Sequence, residues 1–132
     1  MSSPEWGRET QLAIAGCVRS VEDVEVLLYL ARTRDRYSSP ATVSADTGLP
    51  VRLAAAALEA LASRNLLDVR IAEAVLYKLD PASTESRAMV DRTIDAARTN
   101  RALVLRAILA GSSAAHDFAD AFRVTRKRSS DA

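Results

Sequence analysis

The chain has little of what catalytic or covalently stapled proteins rely on. Its 132 residues include one cysteine, Cys17, and one histidine, His116. A single cysteine excludes an intramolecular disulfide and a cysteine-rich zinc site. One His and one Cys do not make an ordinary transition-metal site without a second chain. There is no paired-His motif and no glycine-rich phosphate loop. A Ser–His–Asp or Cys–His arrangement would have to use His116, whose neighbour Asp117 points in another direction on a helix. No apolar run approaches the roughly 18 residues of a membrane span. The opening Met1-Ser-Ser-Pro-Glu-Trp6 lacks the basic-then-apolar order of a secretory signal. With 18 basic against 17 acidic side chains, the net charge is +1 and gives no global attraction to nucleic acid or membrane. The expectation is a cytoplasmic protein that is not an enzyme, with no catalytic residue, no cofactor and no metal.

What is present favours helix. The chain is 48% apolar, enough for an ordinary core, and 25 of its residues are Ala against four each of Gly and Pro. Ser3-Pro4-Glu5 reads as a cap, a first-turn Pro and a first-turn acid, predicting a helix from Pro4 to Val18 with Leu12, Ala15 and Val18 inward. Ser20-Val-Glu-Asp23 has capping-box spacing and opens a helix over Val21 to Arg34. Its stripe is Val21, Val24, Leu28 and Ala31, broadened by Leu27 and Tyr29. Ser39-Pro40 opens a short helix to Thr47, which Gly48 stops because glycine enters the left-handed region at little cost. Leu49 should plug that turn. Pro50 then starts a third helix, Val51 to Ser63, with Ala54, Ala57, Leu58 and Leu61 inward, and Asn65 is a left-handed cap after it.

The period then shortens. Leu66 to Ile71 and Ala74 to Leu79 read as two strands of a hairpin, separated by Ala72-Glu73. From Ser83, one long helix is expected to reach Ala110, with a stripe of Val90, Ile94, Ala97, Arg101, Val104 and Ile108. A last amphipathic helix carries Ala115, Phe118, Ala119 and Phe122, and residues 124–132 read as a basic disordered tail. The implied organisation is an N-terminal helix over 1–20, a central domain over 21–81, C-terminal helices over 82–123, and the tail. Cys17 and Trp6 are expected to pack as core residues.

Helix, short helix, tight turn, helix and hairpin is the order of a winged helix-turn-helix. Ser39-Pro-Ala-Thr-Val-Ser-Ala-Asp-Thr-Gly-Leu-Pro50 and Ala57-Leu-Glu-Ala-Leu-Ala-Ser-Arg-Asn-Leu-Leu67 resemble bacterial winged-helix transcriptional regulators, MarR-like in the broad sense. Asn65 stands where that pattern usually has Gly. The resemblance covers about residues 21–81 and implies a mainly α fold with a small two-stranded β hairpin and helical extensions at both ends. The ending Ala115-His-Asp-Phe-Ala-Asp-Ala-Phe-Arg123 is also similar to the C-termini of small bacterial winged-helix proteins, and implies no function.

The resemblance implies that the third helix enters the major groove of double-stranded DNA with its first two turns. Its outward residues are then Val51, Arg52, Ala55, Ala56 and Glu59. Base reading needs directed donors and acceptors, and of these Arg52 is the one that fits. The implied DNA contacts are Ser39 and Thr42 on phosphate, Arg52 on a base and Arg70 at the wing. Charge weighs against this reading: residues 21–81 hold seven basic and nine acidic side chains, a net of −2. Residues 82–132 hold nine against six, a net of +3. Two readings stay open. One is a transcriptional regulator that binds DNA as a dimer. The other is a winged-helix module that binds a regulatory protein through the flat Ala55/Ala56 surface. Leu103, Val104, Leu105, Ala107, Ile108 and Leu109 crowd nearly all sides of their helix, so something must bury them. Either the chain's own core does so, or a homodimer partner meeting Val104 and Ile108, with Phe118 and Phe122 anchoring the last helix.

Overall fold

Three serines start three helices by the same local device. In the computed structural model, which describes residues 7–109, Ser20 Oγ accepts from the Asp23 N–H at 3.0 Å, Ser39 Oγ from the Thr42 N–H at 3.2 Å, and Ser83 Oγ from the Ser86 N–H at 3.0 Å. Each hydroxyl satisfies an amide that has no partner inside its own helix. The helices they open are α2 (Val21–Arg32), α3 (Pro40–Thr47) and α5 (Thr84–Thr99). Before them lies α1 (Arg8–Cys17), and between α3 and α5 lie α4 (Val51–Ser63), β1 (Leu67–Ile71) and β2 (Val75–Leu79). A further helix, α6, covers 101–109. The fold is mainly α with a small antiparallel β hairpin, in the order of a winged helix-turn-helix with helices before and after it.

α2 is the central element. It packs against α3, α4, α5 and β2, and buries Asp23, Val24, Val26, Leu27, Tyr29 and Leu30. Its burial therefore centres on Val26, Leu27 and Leu30, while Val21 remains 41% exposed. Around it close Val43 from α3, Leu58 and Leu61 from α4, Tyr77 and Leu79 from β2, and Val90 and Ile94 from α5.

The inward face of α1 differs from the expected one. Leu12 is 59% exposed and Ala15 is exposed, whereas Ala13, Ile14, Cys17 and then Val18 are buried. The cause is tertiary: α1 lies along α5 and approaches it at Gly16, where an added Cβ would stand 2.5 Å from Met89 Cε. The expected start of this helix at Pro4, and Trp6 with it, lies outside the described residues.

The long C-terminal helix is in fact two. Asn100 leaves the helical region at φ −151° and ψ 81°, and its Oδ1 accepts from the Leu103 N–H at 3.2 Å. Asparagine competes for backbone hydrogen bonds and so favours a cap over a helix interior. The break sets α6 against the domain, where Arg101 pairs with Glu25 of α2. Val104 becomes fully buried and Ile108 is left 8% exposed, both within the chain's own core. Of the two readings left open for these residues, burial in the chain's own core is the one observed, and partner contact through Val104 and Ile108 is set aside. The helix expected to carry Phe118 and Phe122, and the tail, lie outside the described residues.

The hairpin pairs Leu67 with Leu79, Val69 with Tyr77 and Ile71 with Val75. Its turn includes Ala74 as well as Ala72 and Glu73, and Leu66 precedes the strand instead of opening it. On the far side of β2, Ser38 exchanges backbone hydrogen bonds with Tyr77, at 2.8 and 2.9 Å. That single bridge ties the segment before α3 to the hairpin.

Candidate nucleic-acid interface

The turn between α3 and α4 is built from short-range bonds. Gly48 sits at φ 84°, in the left-handed region. Thr47 Oγ1 donates to the Val43 carbonyl at 2.7 Å and accepts from the Leu49 N–H at 3.2 Å. Ser44 Oγ donates to the Leu49 carbonyl at 2.6 Å. Leu49 is half-buried against the core, as the plug of the turn. These bonds hold α4 at a set angle to α3, and the Tyr29 hydroxyl donates to Asp46 at 2.6 Å to hold α3 against α2. Burial and the Asp46 carboxylate push the Tyr29 phenol above its ordinary range.

At the other end of α4, Asn65 adopts φ 65°, the left-handed cap read from the sequence. Next to it Arg64 donates to Asp23 Oδ2 at 2.9 Å and to the Cys17 carbonyl at 2.8 Å. Asp23 also accepts the Arg19 N–H at 2.9 Å. One buried carboxylate therefore joins the end of α1, the start of α2 and the end of α4.

The outward face of α4 is thin in hydrogen-bonding groups. Arg52 and Glu59 are exposed, Val51 is 52% exposed, Ala56 is exposed and Ala55 is half-buried. Among the described residues, Arg52 makes no ion pair. Beside Ala56, a shallow groove of about 260 Å³ runs between α4 and the start of α2, lined by Leu53, Ala56, Ala60, Arg19 and Glu22. At the start of α3, Thr42 is exposed and Ser39 half-buried. The Ser39 oxygen is committed to its cap, while its proton points to Thr42 Oγ1 at 3.2 Å.

The wing holds Arg70 in a cluster that includes two residues sequence reasoning missed, Tyr37 and Lys78. The Arg70 guanidinium lies 4.3 Å from the centroid of the Tyr37 ring, and the Lys78 ammonium 5.2 Å from it. The Tyr37 hydroxyl donates to Asp68, and this bond is the main reason its phenol titrates above the ordinary range. Alternation along the strands puts Asp68, Arg70 and Lys78 on one face, and that much was readable. The aromatic platform comes from a loop some 30 residues upstream and left no local signal.

Cys17 is fully buried, and desolvation raises its thiol pKa, so it stays a neutral thiol at neutral pH. Among the described residues, no three His, Cys, Asp or Glu side chains gather as a metal site, and no helix is long and apolar enough to cross a membrane. His116 lies outside the described residues. Comparison of the chain with protein-family models, curated proteins and solved structures gives no match.

Proposed function

We propose that this chain acts in transcriptional control as a winged helix-turn-helix protein that binds double-stranded DNA, with the start of α4 facing the major groove. The observation that carries this reading is Arg52. It stands in the first turn of a helix held by the Gly48 turn, and it is exposed with no ion pair among the described residues. That is the position from which an arginine reaches a guanine edge. Thr42 and the Arg70–Lys78 pair of the wing supply phosphate contacts on either side.

The test is fluorescence anisotropy with a mixed-sequence duplex over a range of salt. Binding at low salt should weaken by about 0.9 log unit per log of salt for each phosphate neutralised. Arg52→Glu should reduce affinity at least tenfold at low salt without altering the helical circular dichroism. Affinity unchanged by that substitution would remove α4 from the groove.

The second reading is a module that docks a regulatory protein. It is favoured by the apolar character of the same α4 face, Val51, Ala55 and Ala56 beside the groove, and by the −2 charge of residues 21–81. Absence of duplex binding at low salt selects it.

A further inference from the structure

β1 is an edge strand whose backbone groups have a definite direction. Tyr77 uses its N–H and C=O on Ser38, on the far side of β2. It cannot also use them on its β1 partner Val69. In an antiparallel ladder, hydrogen-bonded and non-hydrogen-bonded pairs alternate. Val69 is thus in a non-bonded pair, and its N–H and C=O point outward, away from β2. By the same alternation so do those of Leu67 and Ile71. No described residue pairs with that outer edge. Such edges are often blunted by charged side chains, Pro or bulges. This one has no Pro, and its two charges are of opposite sign, placed symmetrically about Val69: it reads Leu67-Asp68-Val69-Arg70-Ile71.

That symmetry is what a two-fold axis requires. We propose that the outer edge of β1 pairs antiparallel with the same edge of a second copy of this chain, centred on Val69, to give a four-stranded sheet across a homodimer. In this register Val69 faces Val69 of the second copy, and Leu67 faces its Ile71. Val69 and Ile71 are exposed and Leu67 is 8% exposed, and among the described residues none of the three has a strand partner on that side. Asp68 then faces Arg70 of the second copy, and Arg70 its Asp68. Both fall in non-hydrogen-bonded pairs, where facing Cα atoms lie closest, about 4.5 Å apart. A shift of one residue would set Asp68 against Val69 and forfeit both ion pairs. The two-fold also keeps like faces together. Val69, 42% exposed, and Ile71, 81% exposed, share one face with Val75, 37% exposed. These apolar side chains meet their counterparts on one side of the joined sheet. The dimer is reversible, because one short edge and two ion pairs form a small interface. It does not require the DNA-binding reading, since it is measured without nucleic acid, but it engages Arg70, which that reading sets against phosphate.

Sedimentation velocity of the full chain over a wide concentration range is the test. A reversible monomer–dimer equilibrium that weakens with added salt is expected. Val69→Pro removes an N–H that points away from β2, so it should abolish dimerisation while leaving the hairpin paired. Asp68→Arg should weaken the dimer about tenfold or more, by setting like charges opposite each other. Adding Arg70→Asp to it should restore the affinity of the original chain. Amide exchange supplies a second readout: the Val69 and Ile71 N–H groups should become protected as concentration rises. A chain that stays monomeric, a dimer that survives Val69→Pro in a folded protein, or protection that does not depend on concentration would each overturn the proposal.

Discussion

Asp23 and Arg64, 41 residues apart, form a buried ion pair at 2.9 Å, with 5% and 16% of their side chains exposed. The pair is satisfied on both sides: the carboxylate takes the Arg19 amide and the guanidinium takes the Cys17 carbonyl. Replacing such a pair whole by apolar residues often costs little, but removing one member strands a charge in the interior. Arg64→Ala should therefore destabilise the fold by about 3 kcal/mol, read as a lowered urea midpoint with unchanged slope. Adding Asp23→Ala to it should cost less than the sum of the two single changes. Strict additivity would show that the pair is not coupled.

Gly16 makes a test of opposite sign. Its Cβ would meet the terminal methyl of Met89, the free end of a flexible side chain, and it lies within α1. Helix propensity favours Ala over Gly by about 1 kcal/mol, and Met89 can swing aside. Gly16→Ala is expected to leave stability unchanged or raise it by up to about 1 kcal/mol. A clear loss in thermal unfolding would mean that the α1–α5 approach tolerates no adjustment.

High pH should weaken the fold. Burial raises the Cys17 thiol above 9.0 and the Tyr29 and Tyr77 phenols above 10.0. A group whose pKa is raised by folding stabilises the native state fully below its unfolded value. That contribution is lost as pH rises through the folded value. The urea midpoint should thus be flat through neutral pH and fall as pH climbs past about 9. Cys17→Ala should shift the onset upward towards the tyrosine range. At neutral pH, Cys17 should react with a thiol reagent only as fast as the protein opens. Rapid labelling of the folded chain would contradict its burial.

Much of the helical frame was legible because its causes are local. Ser20, Ser39 and Ser83 cap through hydrogen bonds to residues three positions ahead. Gly48 and Asn65 take left-handed conformations that few other residues adopt readily. The outward face of α4, with Arg52 as its base-reading candidate, follows from helical spacing once Ala54, Ala57, Leu58 and Leu61 are inward. The sequence by itself determined these features, since each depends on neighbours a few residues away.

The tertiary structure alone decided the rest. Periodicity in α1 allowed more than one inward face, and contact with α5 chose Ala13, Ile14 and Cys17 over Leu12. A helical stripe interrupted only at Arg101 hid the break at Asn100, because Val104 and Ile108 suit a straight helix and a bent one equally. Only α6 packing back on the core tells them apart. The stacking of Arg70 on Tyr37 and the bond of Asp23 to Arg64 join residues 33 and 41 positions apart. Such pairs form when the fold brings two distant side chains together, and no local pattern encodes that meeting. The direction of the Val69 backbone is of the same kind. It follows from the Ser38–Tyr77 bridge on the opposite edge of the hairpin, which exists only in the folded chain.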